Sequence, residues 1–413
     1  MGRVELLAPG GNYSKMITAF EYGADAVYIG SDAGFGLRSG CDNFSLEEIR
    51  RAVEYANKHG KKIYVTLNIF PRDTDIERMV QQAEALYETG VHGVIVSDLG
   101  AFTAIHEKLP NLDIHVSTQA NNLNSATCRV WKNMGATRVN LARELTFEEI
   151  KNIAFNVGRD IELEVFVHGA MCMSYSGRCM LSDYMTGRSS NRGDCAQPCR
   201  WEYLRSNGDT DTVYIQEDKY GTYLFNSKDL CLLPYLPDMV KAGVHALKIE
   251  GRMKSEFYTA LTVRAYHIAL DIIENGGELT PEIIDMLLRE VNMVSHRDYS
   301  TGFFLEGTRG SQVYGSSSYL RDADFVGMVS ECEPLADDFT WRTVISQRSV
   351  FEEGDIIEFV TPSQEIHSII AQNMYDDKGE KVIRANHAKM NVHTILPFYV
   401  KPGTVIRKPI RQN

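Results

Sequence analysis

The sequence has no run of eighteen apolar residues, so no membrane-spanning helix is expected. It also lacks a Gly-x-Ser-x-Gly elbow and a His-Glu-x-x-His pair, which mark α/β-hydrolases and zinc peptidases. Positive charge is scarce: 43 Lys and Arg stand against 55 Asp and Glu, a net charge of -12. That excludes a protein that coats nucleic acid non-specifically, but leaves room for a local basic groove. The first ten residues carry no apolar signal-peptide core and read at once as a strand. A cytoplasmic protein is therefore expected, where thiols stay reduced and clustered cysteines point to metal or redox chemistry rather than cross-links. What remains is ordinary: 413 residues, 44% hydrophobic and 24% charged, enough for a large barrel with an appendage.

Four of the eight cysteines crowd into one stretch, Cys172, Cys179, Cys195 and Cys199, with 6, 15 and 3 residues between them. Buried structural cysteines would be more scattered, so a thiolate metal site is the leading reading. The usual zinc pattern of two tight Cys-x2-Cys pairs is missing, which leans toward an iron–sulfur cluster. Five arginines (Arg178, Arg188, Arg192, Arg200, Arg205) accompany the cysteines, against Asp183, Asp194 and Glu202. The stretch is thus positive within an acidic protein.

A repeat organises the first half of the chain. A helical segment closes on Gly, and a short apolar run follows: after Gly23, Gly60, Gly90, Gly135 and Gly243. The glycines suit left-handed helix ends, and the apolar runs suit buried parallel strands. Capping boxes open the helices at Ser45–Glu48, Thr74–Glu77 and Thr146–Glu149, and Thr280-Pro281 opens another. Strands are expected near 4–8, 25–30, 62–68, 93–98, 113–118, 138–143, 161–168 and 246–250. Eight such units predict a TIM-type (β/α)8 barrel over residues 1–295, with a doubly wound open sheet as the alternative. A cysteine-rich insertion at about 170–230 follows strand seven and holds a further strand, Thr222–Asn226. Residues 296–323 read as a linker or covering loop. From 324 to 413 the rhythm turns to short strands and turns, a small C-terminal β-barrel or sandwich, with strands at Phe325–Val329, Thr340–Ser346, Asp355–Val360, His367–Gln372, Lys381–Ile383, Val392–Ile395 and Val405–Lys408.

In such a barrel the active site lies at the C-terminal strand ends. There the sequence places Asn68, Ser117, Gln119, Arg143, His168, Lys248, Glu250 and Arg252. Arg143 and Arg252 have the paired donors to clamp a carboxylate or phosphate, and each alone also suits a strand-end salt bridge. His168 fits three roles: proton donor, cluster neighbour or packed core histidine. Asn68, Ser117 and Gln119 offer hydrogen bonds but no activated nucleophile. A Cys172–His168 protease pair would leave the other three cysteines without a role.

Several of these motifs resemble one family. Glu5-Leu-Leu-Ala-Pro-Gly-Gly11, Tyr22-Gly-Ala-Asp-Ala-Val-Tyr-Ile-Gly30 and His115-Val-Ser-Thr-Gln-Ala120 carry the resemblance. So do the His168–Cys179 stretch, Asn226-Ser-Lys-Asp-Leu230 and Leu247-Lys-Ile-Glu-Gly-Arg252. Together they are similar to the collagenase-like peptidases of unknown catalytic type, family U-32, over essentially the whole chain. The resemblance is strongest to members that hydroxylate the wobble uridine of tRNA at carbon 5 with prephenate supply. Other members act on ribosomal RNA or in ubiquinone hydroxylation, and some are called collagenases or proteases. It implies a four-iron four-sulfur cluster held by Cys172, Cys179, Cys195 and a fourth cysteine: Cys199 or Cys231, with Cys41 a distant third. It also implies tRNA as partner, a prephenate-derived donor, a small dicarboxylate, and room for a related partner protein. On this reading Arg178 joins the substrate-binding set, and His168, Lys248 and Glu250 form the catalytic set. A peptidase is the competing reading.

Overall fold

The computed structural model describes residues 3–37, 42–172, 174–201, 228–305, 319–336 and 339–410. The expected strand Thr222–Asn226, and with it Cys41 and Arg205, lie outside them.

Eight parallel strands close on themselves. They are β1 (Glu5–Gly10), β2 (Ala26–Gly30), β3 (Lys62–Leu67), β4 (Gly93–Val96), β5 (Ile114–Val116), β6 (Arg138–Asn140), β7 (Glu162–Ala170) and, after an interposed β8 (Asp229–Cys231), β9 (Ala246–Ile249). Each pairs with the next through β7, β7 pairs with β9, and β9 returns to β1, so the barrel is shut and the open-sheet alternative falls. Strand faces are nearly all buried, as strands covered by helices outside and by side chains inside must be.

The repeat glycines do what their positions require. Gly23, Gly60, Gly90, Gly135 and Gly243 all have positive φ, where a side chain is strained. Two capping boxes are closed as expected, with Ser45 N donating to Glu48 Oε2 at 2.9 Å and Thr146 N to Glu149 Oε2 at 2.8 Å. The third differs. The helix Asp73–Glu88 starts two residues early, and Asp75 rather than Glu77 accepts from the cap residue's backbone, Arg72 N, at 2.8 Å. The nearest carboxylate wins that donor.

Strand β8 was not expected. It runs antiparallel to the end of β7, with Cys231 opposite His168, and the short strand Tyr299–Ser300 pairs parallel to it. Three residues carry too little periodicity to be read as a strand.

The C-terminal domain is an antiparallel sheet in the order Ile366–Ile370, Ile356–Val360, Val405–Pro409, Ala323–Pro334, Trp341–Gln347, Asn391–Leu396, with a two-stranded ribbon of Phe351–Glu352 and Arg384–Ala385. The expected strand Lys381–Ile383 is reduced to a single bridge from Lys381 to Tyr375. This domain docks on the barrel's helices through buried polar groups. Tyr22, fully buried, donates its O–H to Val360 O at 2.7 Å and accepts from Val405 N at 2.9 Å. Glu290 lies between Arg264 (3.2 Å) and Arg407 (3.1 Å), and Arg407 also meets Glu358 at 2.6 Å. A buried ion set of this kind fixes one docking geometry more than it adds stability.

Candidate active site

The barrel interior carries charge where apolar layers are usual. Arg138 of β6 meets Glu5 of β1 at 2.6 Å and Glu162 of β7 at 2.7 Å. Glu164, also on β7, accepts from Asn140 Nδ2 and from Lys248 Nζ, each at 2.7 Å. Burial pushes the Glu5 carboxyl up, but Arg138 and Lys62 outweigh it and hold it below the usual carboxylate range. Lys248 Nζ also stands 4.6 Å from the centre of the Tyr28 ring and 5.3 Å from that of Phe166. Desolvation makes such cation–π contacts worth more than at a surface.

Above this layer opens a cavity of about 620 Å³ at the C-terminal ends of the strands. That size falls within the range of small-molecule sites. Lys248, Glu250 and Arg252 reach it from the end of β9, and Arg143 from the end of β6. Asn68, Ser117 and Gln119 line it as well. Asn68 is fixed by donating to Ser117 Oγ at 3.2 Å and accepting from Leu37 N at 3.1 Å. Arg143 donates Nη1 to Ala170 O at 2.7 Å and lies 3.8 Å over the Phe166 ring. Its neighbour Glu144 turns away from the cavity, and burial raises its carboxyl. Arg252 is 3% exposed and ties loops together, donating to Thr66 Oγ1 at 2.9 Å and to Leu37 O. Much of its fork is therefore committed to the protein itself.

The insertion covers this mouth. Cys172, Cys179, Cys195 and Cys199 all line the same cavity as the cations. Three clasps hold the insertion there. Phe70 N donates to Asn191 O at 2.9 Å. Arg192 bridges to Asp75 at 2.8 Å. Asn121, in left-handed backbone, donates to Ser176 O at 2.8 Å and accepts from Arg178 Nε at 2.8 Å. Gly177 sits so close that a Cβ there would lie 2.4 Å from Gln119 Oε1. Within the insertion, Ser190 Oγ and Asn191 Nδ2 both donate to the Cys179 carbonyl, at 2.7 and 3.2 Å.

Three predicted residues stand elsewhere. His168 is 1% exposed and lies behind the cavity wall, within reach of Tyr266 Oη (3.3 Å) and Tyr299 Oη (3.4 Å). Burial, with His296 and Lys254 nearby, pushes its imidazole down to about 3. It is the packed core histidine of the three readings, and neither it nor a Cys172–His168 pair faces the cavity. Cys231 is buried beside it, 3.8 Å from Tyr266 Oη, with its thiol pushed up by burial. Arg178 is exposed on the outer side of the clasp. The basic patch is also weaker than the sequence suggests, because Arg188 is paired with Asp194 at 2.7 Å and Arg192 with Asp75.

The sequence reading missed Tyr28, Thr66, Asn140 and Phe166 in the walls, and Glu164 and Arg138 beneath. The signal for the last two was present: charged residues inside otherwise apolar barrel strands need partners. The donor set suits a cluster chemically, since four thiols line one cavity. Among the described residues no three His, Cys, Asp or Glu side chains are gathered closely enough to hold a single ion.

Fold and cavity define a (β/α)8-barrel protein whose mouth is closed by a cysteine-bearing insertion. The chain belongs to peptidase family U32: that family's pattern matches residues 11–313, and its C-terminal domain matches residues 321–407. It is 39% identical over 407 residues to tRNA hydroxylation protein P1 of Bacillus subtilis (strain 168), covering 98% of this chain and 94% of that protein. It is 34% identical to tRNA hydroxylation protein P of Escherichia coli (strain K12), covering 92% and 91%. Collagenase of Porphyromonas gingivalis (strain ATCC BAA-308 / W83) is 32% identical, over 78% of this chain and 79% of that protein.

Proposed function

We propose that this protein is an RNA-modifying hydroxylase that acts on carbon 5 of the wobble uridine of tRNA, with a prephenate-derived donor and a four-iron four-sulfur cluster. The observation that carries the reading is the meeting of four cysteines with Arg143 and Lys248 on one cavity at the barrel mouth. The full-length relatives named for tRNA hydroxylation supply the substrate. Cys172, Cys179, Cys195 and Cys199 would hold the cluster, which supplies electron transfer when bound. Arg143 and Lys248 give a carboxylate or phosphate two cationic partners, and the bond to Glu164 fixes where the Lys248 ammonium sits at the cavity floor. Asn68, Ser117 and Gln119 offer donors and acceptors suited to a base edge. No helix among the described residues is long and apolar enough to cross a membrane; a protein acting on tRNA would work in the cytoplasm.

The collagenase relative favours a second reading, peptide hydrolysis. It lacks an activated nucleophile here, because the histidine nearest in sequence to Cys172 is buried behind the wall. Nucleoside mass spectrometry of tRNA decides between them. A deletion strain should lose 5-hydroxyuridine-derived nucleosides and regain them with the wild-type gene but not with Cys179→Ala. Unchanged nucleosides in a strain without a related gene, with peptide cleavage by the pure protein, would hand the function to the peptidase.

A further inference from the structure

Two aromatic side chains at the cavity rim are left in water. Tyr184, on the short helix Leu181–Thr186, is 88% exposed, and Tyr175 is 47% exposed, yet both also line the cavity. They stand where the interior gives way to the outside. A large ring left in solvent gains nothing for the fold, and most of the other tyrosines among the described residues are buried or half-buried. Close in sequence lies Arg178, an exposed cation with no carboxylate partner among the described residues.

Resting on the hydroxylase reading, we propose that Tyr184, with Tyr175, is a stacking platform for nucleobases that flank the base entering the cavity. The substrate is then an unpaired RNA loop, not a duplex. A base inside a helix cannot bring carbon 5 past the rim to Asn68 and Lys248, so it must leave its stack. Its neighbours then lose a stacking partner, and an exposed ring at the rim replaces it. Stacking accepts any base because every base has a π-face. Charge alone serves poorly here, since Arg188 and Arg192 are spent on Asp194 and Asp75. Arg178 faces the negative backbone, and the rings supply the larger share of the hold. A peptide chain would use the rim differently, because its carbonyls and amides need hydrogen-bonding partners rather than flat faces.

The test uses the full chain, purified without oxygen, and an anticodon stem-loop with 2-aminopurine beside the target uridine. Tyr184→Ala should weaken binding roughly 5- to 150-fold, the range of one lost base–aromatic stack. It should also abolish the fluorescence change that accompanies stacking on the protein. Tyr184→Phe should bind within about twofold of wild type, because stacking needs the ring and not the hydroxyl. The same sequence in a duplex should bind wild type and Tyr184→Ala alike. The exposed ring has no packing role in the fold, and circular dichroism of each variant checks that the fold is kept. Wild-type affinity and fluorescence in Tyr184→Ala overturn the platform while leaving the hydroxylase standing. So does a Tyr184→Phe variant as weak as Tyr184→Ala, which assigns the phenol oxygen instead. Wild type that neither binds the loop nor restores tRNA nucleosides overturns both, as does an unstructured peptide whose binding alone depends on Tyr184.

Discussion

Lys248 Nζ lies 2.7 Å from Glu164 Oε1, and both side chains are buried inside the barrel. The pair joins the site to the scaffold. Lys248 lines the cavity, while Glu164 also takes Asn140 Nδ2 and, at 3.4 Å, Arg138. Removing Glu164 leaves two buried cations short of a partner, whereas removing Lys248 leaves a carboxylate still held by Arg138 and Asn140. Glu164→Leu should therefore destabilise by about 3–5 kcal/mol, the usual cost of breaking a buried pair. Lys248→Met should cost less, and adding it to Glu164→Leu should recover part of the loss. Urea denaturation of the three variants checks this, and equal costs for both single changes would contradict it.

The cysteines give the second prediction. Protein purified without oxygen should be brown and hold about four irons per chain. Cys172→Ala, Cys179→Ala, Cys195→Ala and Cys199→Ala should each strip the colour, because all four line the cavity. Cys231→Ala should keep it, since that thiol faces Tyr266 behind the wall. Iron analysis and visible absorbance read the result. Retained iron in Cys199→Ala with loss in Cys231→Ala would reverse the assignment of the fourth ligand.

The barrel was legible because its signals are repeated and local. Glycine at a left-handed helix end, followed by an apolar run, recurs often enough to count strands, and Gly135 before Arg138–Asn140 is found where expected. Asn68, Ser117, Gln119, Arg143, Lys248, Glu250 and Arg252, which line the cavity, followed from strand ends alone. What sequence could not show was direction. His168 ends an apolar run just as Asn68 does, yet a bulge where β7 pairs with β9, between Phe166 and His168, accompanies its turn into the core. Likewise the five arginines read as a basic patch until the fold delivered Asp75, from the first turn of the helix Asp73–Glu88, to Arg192. Tyr184's exposure depends on a six-residue helix too short to announce which face it hides.

The Arg192–Asp75 clasp gives the third prediction. Asp75 is buried and accepts from both Arg192 and the Arg72 backbone. Asp75→Asn keeps a cap acceptor but removes the charge that holds the insertion. Limited proteolysis should then cut within residues 174–201 several-fold faster than in wild type, because local opening sets the cleavage rate when the whole fold stays intact. Thermal unfolding should shift by only a few degrees. Unchanged proteolysis would show that the Phe70 and Asn121 contacts suffice.

The fourth prediction concerns acid. Burial pushes the His168 imidazole down to about 3, against 6.5 for an ordinary histidine. Below pH 6.5 the unfolded chain takes up this proton and the folded chain does not, down to about pH 3. The group's contribution is therefore fully present above pH 6.5 and lost as the pH falls. One pH unit is worth about 1.4 kcal/mol once the unfolded histidine is fully protonated, so the fall from pH 6.5 to 4.5 should remove roughly 2 kcal/mol through this residue. A neutral imidazole has one N–H, which suits Tyr266 or Tyr299 but not both as acceptors, and a glutamine can keep a donor in the same space. His168→Gln should be less stable near neutrality yet show a shallower loss between pH 6.5 and 4.5. The comparison is one of slopes, so the contribution of His115, whose imidazole burial also pushes down, cancels. Urea titrations at four pH values give both slopes, and identical slopes would mean that His168 takes up its proton in the folded state as readily as in the unfolded chain.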